Sequence, residues 1–342
     1  MRKTWSSMLL RRLLQSILVL IGVSILIFGI SRMVPGDPAR MALGPRTPEW
    51  AVENLRKQLN LDKPVPVQYG LWLLKMLRGD LGESLVTRRL VNDDLRDFLP
   101  ATAELIVVAA IIEIIGGILL GVFAARYSQT WFDGFTRVLA YLGVATPSFV
   151  WAIIFLLIFS FAWPILPATG RLSAGIITPP RITGMIVLDG ILSGNFAAAW
   201  DCLLHLILPA ISLAMYGVAQ SARITRASMI ENMERDSVYA HAAAGVPRRV
   251  IMTKYVLKPS LIPTVSVMAL DIVAMAGNAF LVEMIFNYPG LSRYGMTAML
   301  NKDLNAIVAV ILILGLCFVV VNIIVDFIVA LLDPRVAHYG GV

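Results

Sequence analysis

Runs of apolar residues dominate the pattern along the chain. Six of them reach the roughly 20 residues that a helix needs to cross the hydrocarbon core of a bilayer. They cover residues 13–34, 101–125, 138–163, 203–222, 264–285 and 304–332. The first is preceded by Arg2, Lys3, Arg11 and Arg12, and 18 uncharged residues run from Leu13 to Ile30. That is longer than the apolar region of a secretory leader, about 7–15 residues, so it reads as a retained first helix. Between the first two runs, residues 35–100 alternate differently. Thr47 and Pro48 open a helix that sets Ala51, Leu55 and Leu59 on one face, and a second amphipathic stretch from Val67 to Arg78 stops at Gly79. Pro164 to Trp200 is rich in Gly, Pro and Ser and predicts a loop with one interfacial turn.

Composition sharpens this picture. Of 342 residues, 58% are hydrophobic and 15% charged, with a mean hydropathy of +0.78. A soluble domain carries ~25% charge, so too few charged side chains remain to coat a water-facing surface. The chain is expected to be all-α, a polytopic membrane protein with six transmembrane helices in the bilayer of the cell membrane. The net charge of +7 then needs no nucleic acid, because Lys and Arg collect in cytoplasmic loops. With both termini cytoplasmic, the inner segments hold 14 basic residues and the two short outer connections only four. The remaining 11 lie in the long 35–100 connection and its flanks, nearly balanced there by nine acids. This predicts a cytoplasmic start at 1–12, a first span at 13–34 and an extracytoplasmic segment at 35–100. A five-helix membrane core at 101–332 and a cytoplasmic tail at 333–342 follow. Cys202 and Cys317 lie far apart and form neither a disulfide framework nor a metal cluster.

The chemistry-bearing motifs of soluble enzymes are missing. There is no G-x-x-x-x-G-K-[ST] phosphate loop, no H-E-x-x-H and no G-x-S-x-G. Asp271 and Asp326 could form an intramembrane aspartyl dyad, but neither sits in a Gly-x-Gly-Asp context. Asp326 shares a helical face with Asn322, which points to packing. The other carboxylates within apolar runs matter more, because a charge at the bilayer centre costs at least ~2.5–3.5 kcal/mol. Glu104 and Glu113 are nine residues apart and therefore on opposite faces of one helix. Glu113, Asp271 and Glu283 are candidates for a polar path or for contacts between subunits. A packed, hydrogen-bonded Glu113 and an interfacial Glu104 are the competing reading.

The segment 227–263 is the most informative. It contains Asp236, Tyr239, Ala240, His241, Ala242, Ala243, Ala244, Gly245, Pro247, Arg248 and Arg249. Four alanines make a helix with almost no side-chain bulk, Gly245 suits the left-handed residue that ends it, and Pro247 suits the first turn of a new helix closed by Pro259. The expected product is a helix–turn–helix knuckle whose smooth face admits another protein closely.

Asp236, Ala243, Gly245 and Leu257-Lys258-Pro259-Ser260-Leu261-Ile262-Pro263 resemble the EAA loop of ATP-binding-cassette (ABC) importer permeases, the dipeptide/oligopeptide/nickel subfamily above all. Val34-Pro35-Gly36-Asp37-Pro38, Gly79-Asp80-Leu81-Gly82-Glu83-Ser84, Thr146-Pro147-Ser148-Phe149, Phe286-Asn287-Tyr288-Pro289-Gly290-Leu291 and Leu332-Asp333-Pro334-Arg335 agree with that subfamily in order and spacing. The resemblance implies a type I importer fold with a cytoplasmic coupling helix. It implies a second, homologous permease, two cytoplasmic ATPases and an extracytoplasmic solute-binding protein as partners. ATP and magnesium would be used by the ATPases, with no cofactor on this chain. Peptide is the leading cargo; nickel chelates, glutathione or another small solute are alternatives, and a nucleotide-independent channel or secondary carrier is the competing mechanism. The Glu that names the loop falls at Tyr239 here, and His241 stands where a small residue is usual.

Overall fold

The computed structural model describes residues 2–33, 38–44, 46–58 and 60–332. The side chains of residues 2–13, 16, 31–33, 38, 41–42, 58 and 325–332 lie outside this description, as do Leu59, the Val34–Asp37 part of one motif and the whole tail from Asp333. The elements are α1 (Arg2–Met33), α2 (Pro38–Leu43), α3 (Glu49–Gln58), α4 (Val65–Leu77), α5 (Val91–Arg126), α6 (Trp131–Ala145) and α7 (Ser148–Leu156). A π-helical turn (Leu157–Ala162) prolongs α7. Then come α8 (Ile186–Ser193), α9 (Phe196–Met233), α10 (Asp236–Ala243), α11 (Arg248–Val250), a second π-helical stretch (Ile251–Leu257), α12 (Lys258–Ile285), α13 (Leu291–Leu300) and α14 (Leu304–Leu332).

Among the described residues, four stretches are long and apolar enough to cross a bilayer: Val91–Arg126, Phe196–Met233, Arg248–Ile285 and Leu304–Ile324. The pair α6 and α7 forms a fifth if counted as one broken span, and α1, 32 residues long, carries a shorter apolar stretch at Ile17–Ile30. The helices outrun the apolar windows that announce them. The fourth begins at Phe196 rather than Leu203, with the Asn195 side chain capping it by accepting from Ala198 N (3.2 Å). A hydropathy window registers hydrocarbon, whereas a helix continues into polar surroundings until a cap stops it.

Two expectations need correction. The third run is not one straight helix: α6 and the α7 segment meet at 111° across Thr146-Pro147. Thr146 is extended (φ −98°, ψ 123°) because a residue before proline is driven from the helical region. Conversely, Pro259 does not close a helix. The chain stays helical from Arg248 to Ile285, and Pro259 sits at the start of α12 directly after the π-helical stretch. A proline ring collides with the carbonyl four residues back in a regular helix, and the wider π turn before it relieves that clash.

The chain divides into two compact units. One comprises residues 1–8, 99–293 and 318–342. Its centre is α9, which packs on α12, α6, α7 and α8. Small residues bring the backbones close, as expected where lipid supplies no hydrophobic drive between helices. A Cβ on Gly121 would lie 2.5 Å from Thr225 Cβ and 2.8 Å from the Ala222 carbonyl oxygen, and one on Gly143 would lie 2.5 Å from Ala219 Cβ. Apolar side chains at Val107, Ile111, Ile115 and Leu119 form an exposed stripe on α5, while Ala101, Leu105 and Ala109 are buried. Large apolar groups stay exposed along this stripe, where a helix of a water-soluble bundle would carry polar ones.

The second unit comprises residues 9–98 and 294–317. Expectation holds in it for the amphipathic helices at α3 and α4. Gly79 (φ +82°) ends α4 with a left-handed turn in which Asp80 N donates to Lys75 O (3.0 Å) and Gly79 N to Met76 O (2.9 Å). Fully buried Asp303 organises the rest. Its Oδ2 accepts from Ser84 Oγ (2.5 Å) and Leu85 N (2.7 Å), and its Oδ1 caps α14 through Ala306 N (3.2 Å). Asp303→Ala orphans these donors and removes the cap, so a loss of about 2 kcal/mol is expected. Limited proteolysis at residues 79–90 should quicken accordingly, and unchanged cleavage would refute this role.

Candidate functional site

Residues 227–263 form the knuckle that the alanine pattern predicts. The α10 helix ends in a Schellman turn. Val246 N donates to His241 O (3.1 Å) and Gly245 N to Ala242 O (3.0 Å), with Gly245 at φ +76°. A Cβ at Gly245 would meet nothing within 4 Å, so conformation rather than space demands glycine there. Asp236, Tyr239, Ala240, Ala243, Gly245, Pro247, Arg248 and Arg249 are exposed. Val238 and Val246 turn the other way and pack on a cluster of Ala125, Met229, Ile251 and Val256. His241 is half-buried, its ring 3.9 Å from that of Tyr255 (centroid to centroid). An inward apolar edge thus holds the knuckle to its base, and the alanine face is left open.

The base is stiff. Just beside the knuckle, Thr225 and Thr264 hydroxyls bond each other across α9 and α12 (3.0 Å), and Asn232 Nδ2 donates to Ser260 Oγ (3.0 Å). All four residues are buried. On the other side of α9, Arg226 grips buried Asp133 of α6 with two bonds, Nε to Oδ1 (2.5 Å) and Nη2 to Oδ2 (2.9 Å). These contacts join residues 93 and 39 positions apart, which no local pattern reveals.

The carboxylates within apolar runs separate into three roles. Glu104 is not an interfacial anchor. It is buried and takes Arg171 Nη2 (2.5 Å), Val187 N (2.7 Å) and Tyr288 OH (3.4 Å), pinning the 163–185 loop. Asp189, in the first turn of α8, anchors the turn that precedes that helix. Burial pushes its carboxyl up, but Thr183's hydroxyl and the N–H groups of Thr183, Gly184 and Ile182 outweigh this and hold it below the ordinary carboxylate range. Glu283 is also taken up locally. It accepts from Thr102 Oγ1 (2.5 Å) and Arg293 N (3.1 Å) and lies against Gly290, so the Asn287-Tyr288-Pro289-Gly290 turn folds around it. Glu283 does not line the cavity described next.

Glu113 and Asp271 differ. A cavity of about 400 Å³ opens between the α6–α7 break, α9 and α12, with Asp271 in its wall. Among the described residues, Asp271 Oδ2 is buried without a hydrogen-bond partner, and so is Glu113 Oε2. Glu113 is fully buried, its Oε1 accepting weakly from Ser221 Oγ (3.4 Å), and its carboxylate lies against Gly217, itself part of the cavity wall. The side chain of Asp326 is outside the described residues, so the Asp271–Asp326 pairing has no geometry here. Among the described residues no group of three or more His, Cys, Asp or Glu could hold a metal.

A multi-pass helical bundle with a broken span, a carboxylate-bearing cavity and an exposed knuckle between two clamped helices defines a membrane transport component. The profile of the binding-protein-dependent transport system inner membrane component matches residues 117–338, and its N-terminal counterpart matches 6–106. The chain belongs to this family of ABC-importer permeases. It is 36% identical to the probable D,D-dipeptide transport system permease of Escherichia coli (strain K12) over 338 residues, 99% of each chain. It is 38% identical to a dipeptide transport system permease of Alkalihalophilus pseudofirmus over 334 residues (96% of this chain, 98% of the other). Against the di/tripeptide transport system permease of Pseudomonas aeruginosa the identity is 34% over 335 residues (97% and 99%).

Proposed function

We propose that the chain is one of two permeases of a peptide importer, driven through its knuckle by separate ATPases. The observation that carries this is the open alanine face of α10, held from behind by Val238 and Val246 and ended by Gly245. A helix bare of bulk on its exposed side lets another backbone approach closely, and Arg248 and Arg249 lie beside it for acidic partners. The cargo reading rests on the relatives, several of which are named as dipeptide or peptide permeases over nearly their full length.

In this reading residues 227–263 and both termini face the cytoplasm, where two ATPases bind ATP and magnesium; this chain binds neither. Residues 35–100 face outward and meet the solute-binding protein. A homologous permease completes the path. Closure of the ATPase pair moves α10, and because α9 and α12 are bonded to each other at Thr225–Thr264 and Asn232–Ser260, both spans move with it. Glu113 and Asp271 belong to the path; Glu283 serves the turn that follows α12.

The test uses the four-subunit complex reconstituted in liposomes. Gly245→Asp places an L-residue at φ +76°, which costs about 1–2 kcal/mol and distorts the end of α10. Peptide uptake is expected to fall about tenfold or more while ATP hydrolysis continues and the variant still inserts. Persistent ATP-dependent uptake at wild-type rates would remove the lever from the proposal, and uptake without nucleotide would favour a channel.

A further inference from the structure

Asp271 lies near the middle of α12, 13 residues from Lys258 and 14 from Ile285, so about 20 Å of helix separates it from either end. A carboxylate at that depth is normally matched by a cation, a donor or a water-filled space. Among the described residues no Lys or Arg pairs with it, and its Oδ2 has no donor. Glu113 is within electrostatic reach, and it too has a bare oxygen. The cavity wall around Asp271 carries Thr146, Ser148, Tyr216 and Asn278, all neutral. The site therefore holds negative charge, hydrogen-bonding capacity and a vacant volume of a size that accepts small organic ligands, roughly 300–1,000 Å³. What it lacks is a positive charge.

The backbone beside it tells the same story. Non-helical chain at membrane depth is tolerated only where it lines a cavity, and broken spans in transport proteins surround solute sites. The break at Thr146-Pro147 forms one side of this cavity. Gly217 forms part of another, and its lack of a side chain is what admits the Glu113 carboxylate to the wall from behind.

We infer that this cavity is a transit subsite for a primary ammonium, the free N-terminus of a peptide in passage, with Asp271 as its counter-ion and the Glu113 carboxyl, behind Gly217, as a second and more deeply buried acceptor. The inference rests on the peptide-import reading. Every unblocked peptide must carry its ammonium past the hydrocarbon layer, and a carboxylate with one bare oxygen compensates it without trapping it. Two competent acceptors would bind more tightly and release more slowly; here Glu113 stays behind Gly217.

The experiment uses the reconstituted complex with its binding protein, arrested with vanadate, and two tripeptides: photoleucine-Ala-Ala and Ala-Ala-photoleucine. After illumination, adducts are mapped by mass spectrometry. The label at the first residue is expected to mark residues 144–149 and 274–281, and the label at the third residue to mark them about tenfold less. Asp271→Asn should cut the first signal about tenfold, the weight of one charge-assisted hydrogen bond, and Asp271→Glu should largely keep it. Equal marking by both labels, adducts elsewhere, or a signal indifferent to Asp271→Asn overturns the subsite. Wild-type mapping alone decides the matter if the Asn variant does not fold. Failure of the wild-type complex to accumulate either peptide with ATP would instead overturn the peptide reading itself.

Discussion

Replacing Arg171 by methionine is expected to destabilise the protein by about 3–5 kcal/mol, the usual consequence of removing one partner of a buried ion pair. The side chains of Arg171 and Glu104 are 12% and 4% exposed, so solvent screens the pair little. Arg171→Met strands the Glu104 carboxylate with only Val187 N, Tyr288 OH and a cysteine thiol around it. It also removes a guanidinium from above the Tyr288 ring (5.7 Å) and frees the 163–185 loop. Thermal unfolding in detergent should shift down, and protease should cut the loop sooner. The double variant Glu104→Gln/Arg171→Met should recover most of the loss, because no uncompensated charge is left. If Arg171→Met alone unfolds at the wild-type temperature, the pair is not holding the loop.

Gly121→Leu is expected to be nearly as harmful, about 3 kcal/mol, at the upper end of what overpacking costs. Even the first carbon of a new side chain would lie 2.5 Å from Thr225 Cβ and 2.8 Å from a backbone oxygen of α9. Neither neighbour is the movable tip of a flexible side chain, so the helices must part. That separation would also strain the Thr225–Thr264 bond, and the loss should therefore appear in ATP-coupled uptake as well as in thermal stability. Gly134→Ala is the control. Nothing lies within 4 Å of its Cβ, and alanine is the better helix former, so stability should hold or rise by up to about 1 kcal/mol. Equal behaviour of the two variants would mean that the α5–α9 approach is not tight.

The contrast between these sites explains what could be read from the chain beforehand. Spans are legible because a bilayer demands about 20 apolar residues wherever a helix crosses it. The knuckle is legible because its message is local: alanines, then Gly245, then Pro247, within ten residues. Even the tight α5–α9 contact has a local sign, the spacing Gly117-x-x-x-Gly121. The break at Thr146-Pro147 is hidden in an unbroken apolar run, since apolarity on both sides masks the proline. The partners of Glu104, Asp133 and Thr225 lie beyond any such window, at separations of 67, 93 and 39 residues. Only folding brings them together. Hence Glu104, Glu113 and Glu283, alike as isolated acids in apolar runs, take three different roles.

The rungs between α9 and α12 carry a mechanical consequence. Two helices bonded side chain to side chain next to the bend that joins them resist sliding past each other, so a push on α10 arrives higher up as torque on a single stiff rod rather than as shear lost between two. The stroke available at the cavity is then set by where that rod pivots, and Asp271, riding on it, would sweep through an arc whenever α10 is pushed.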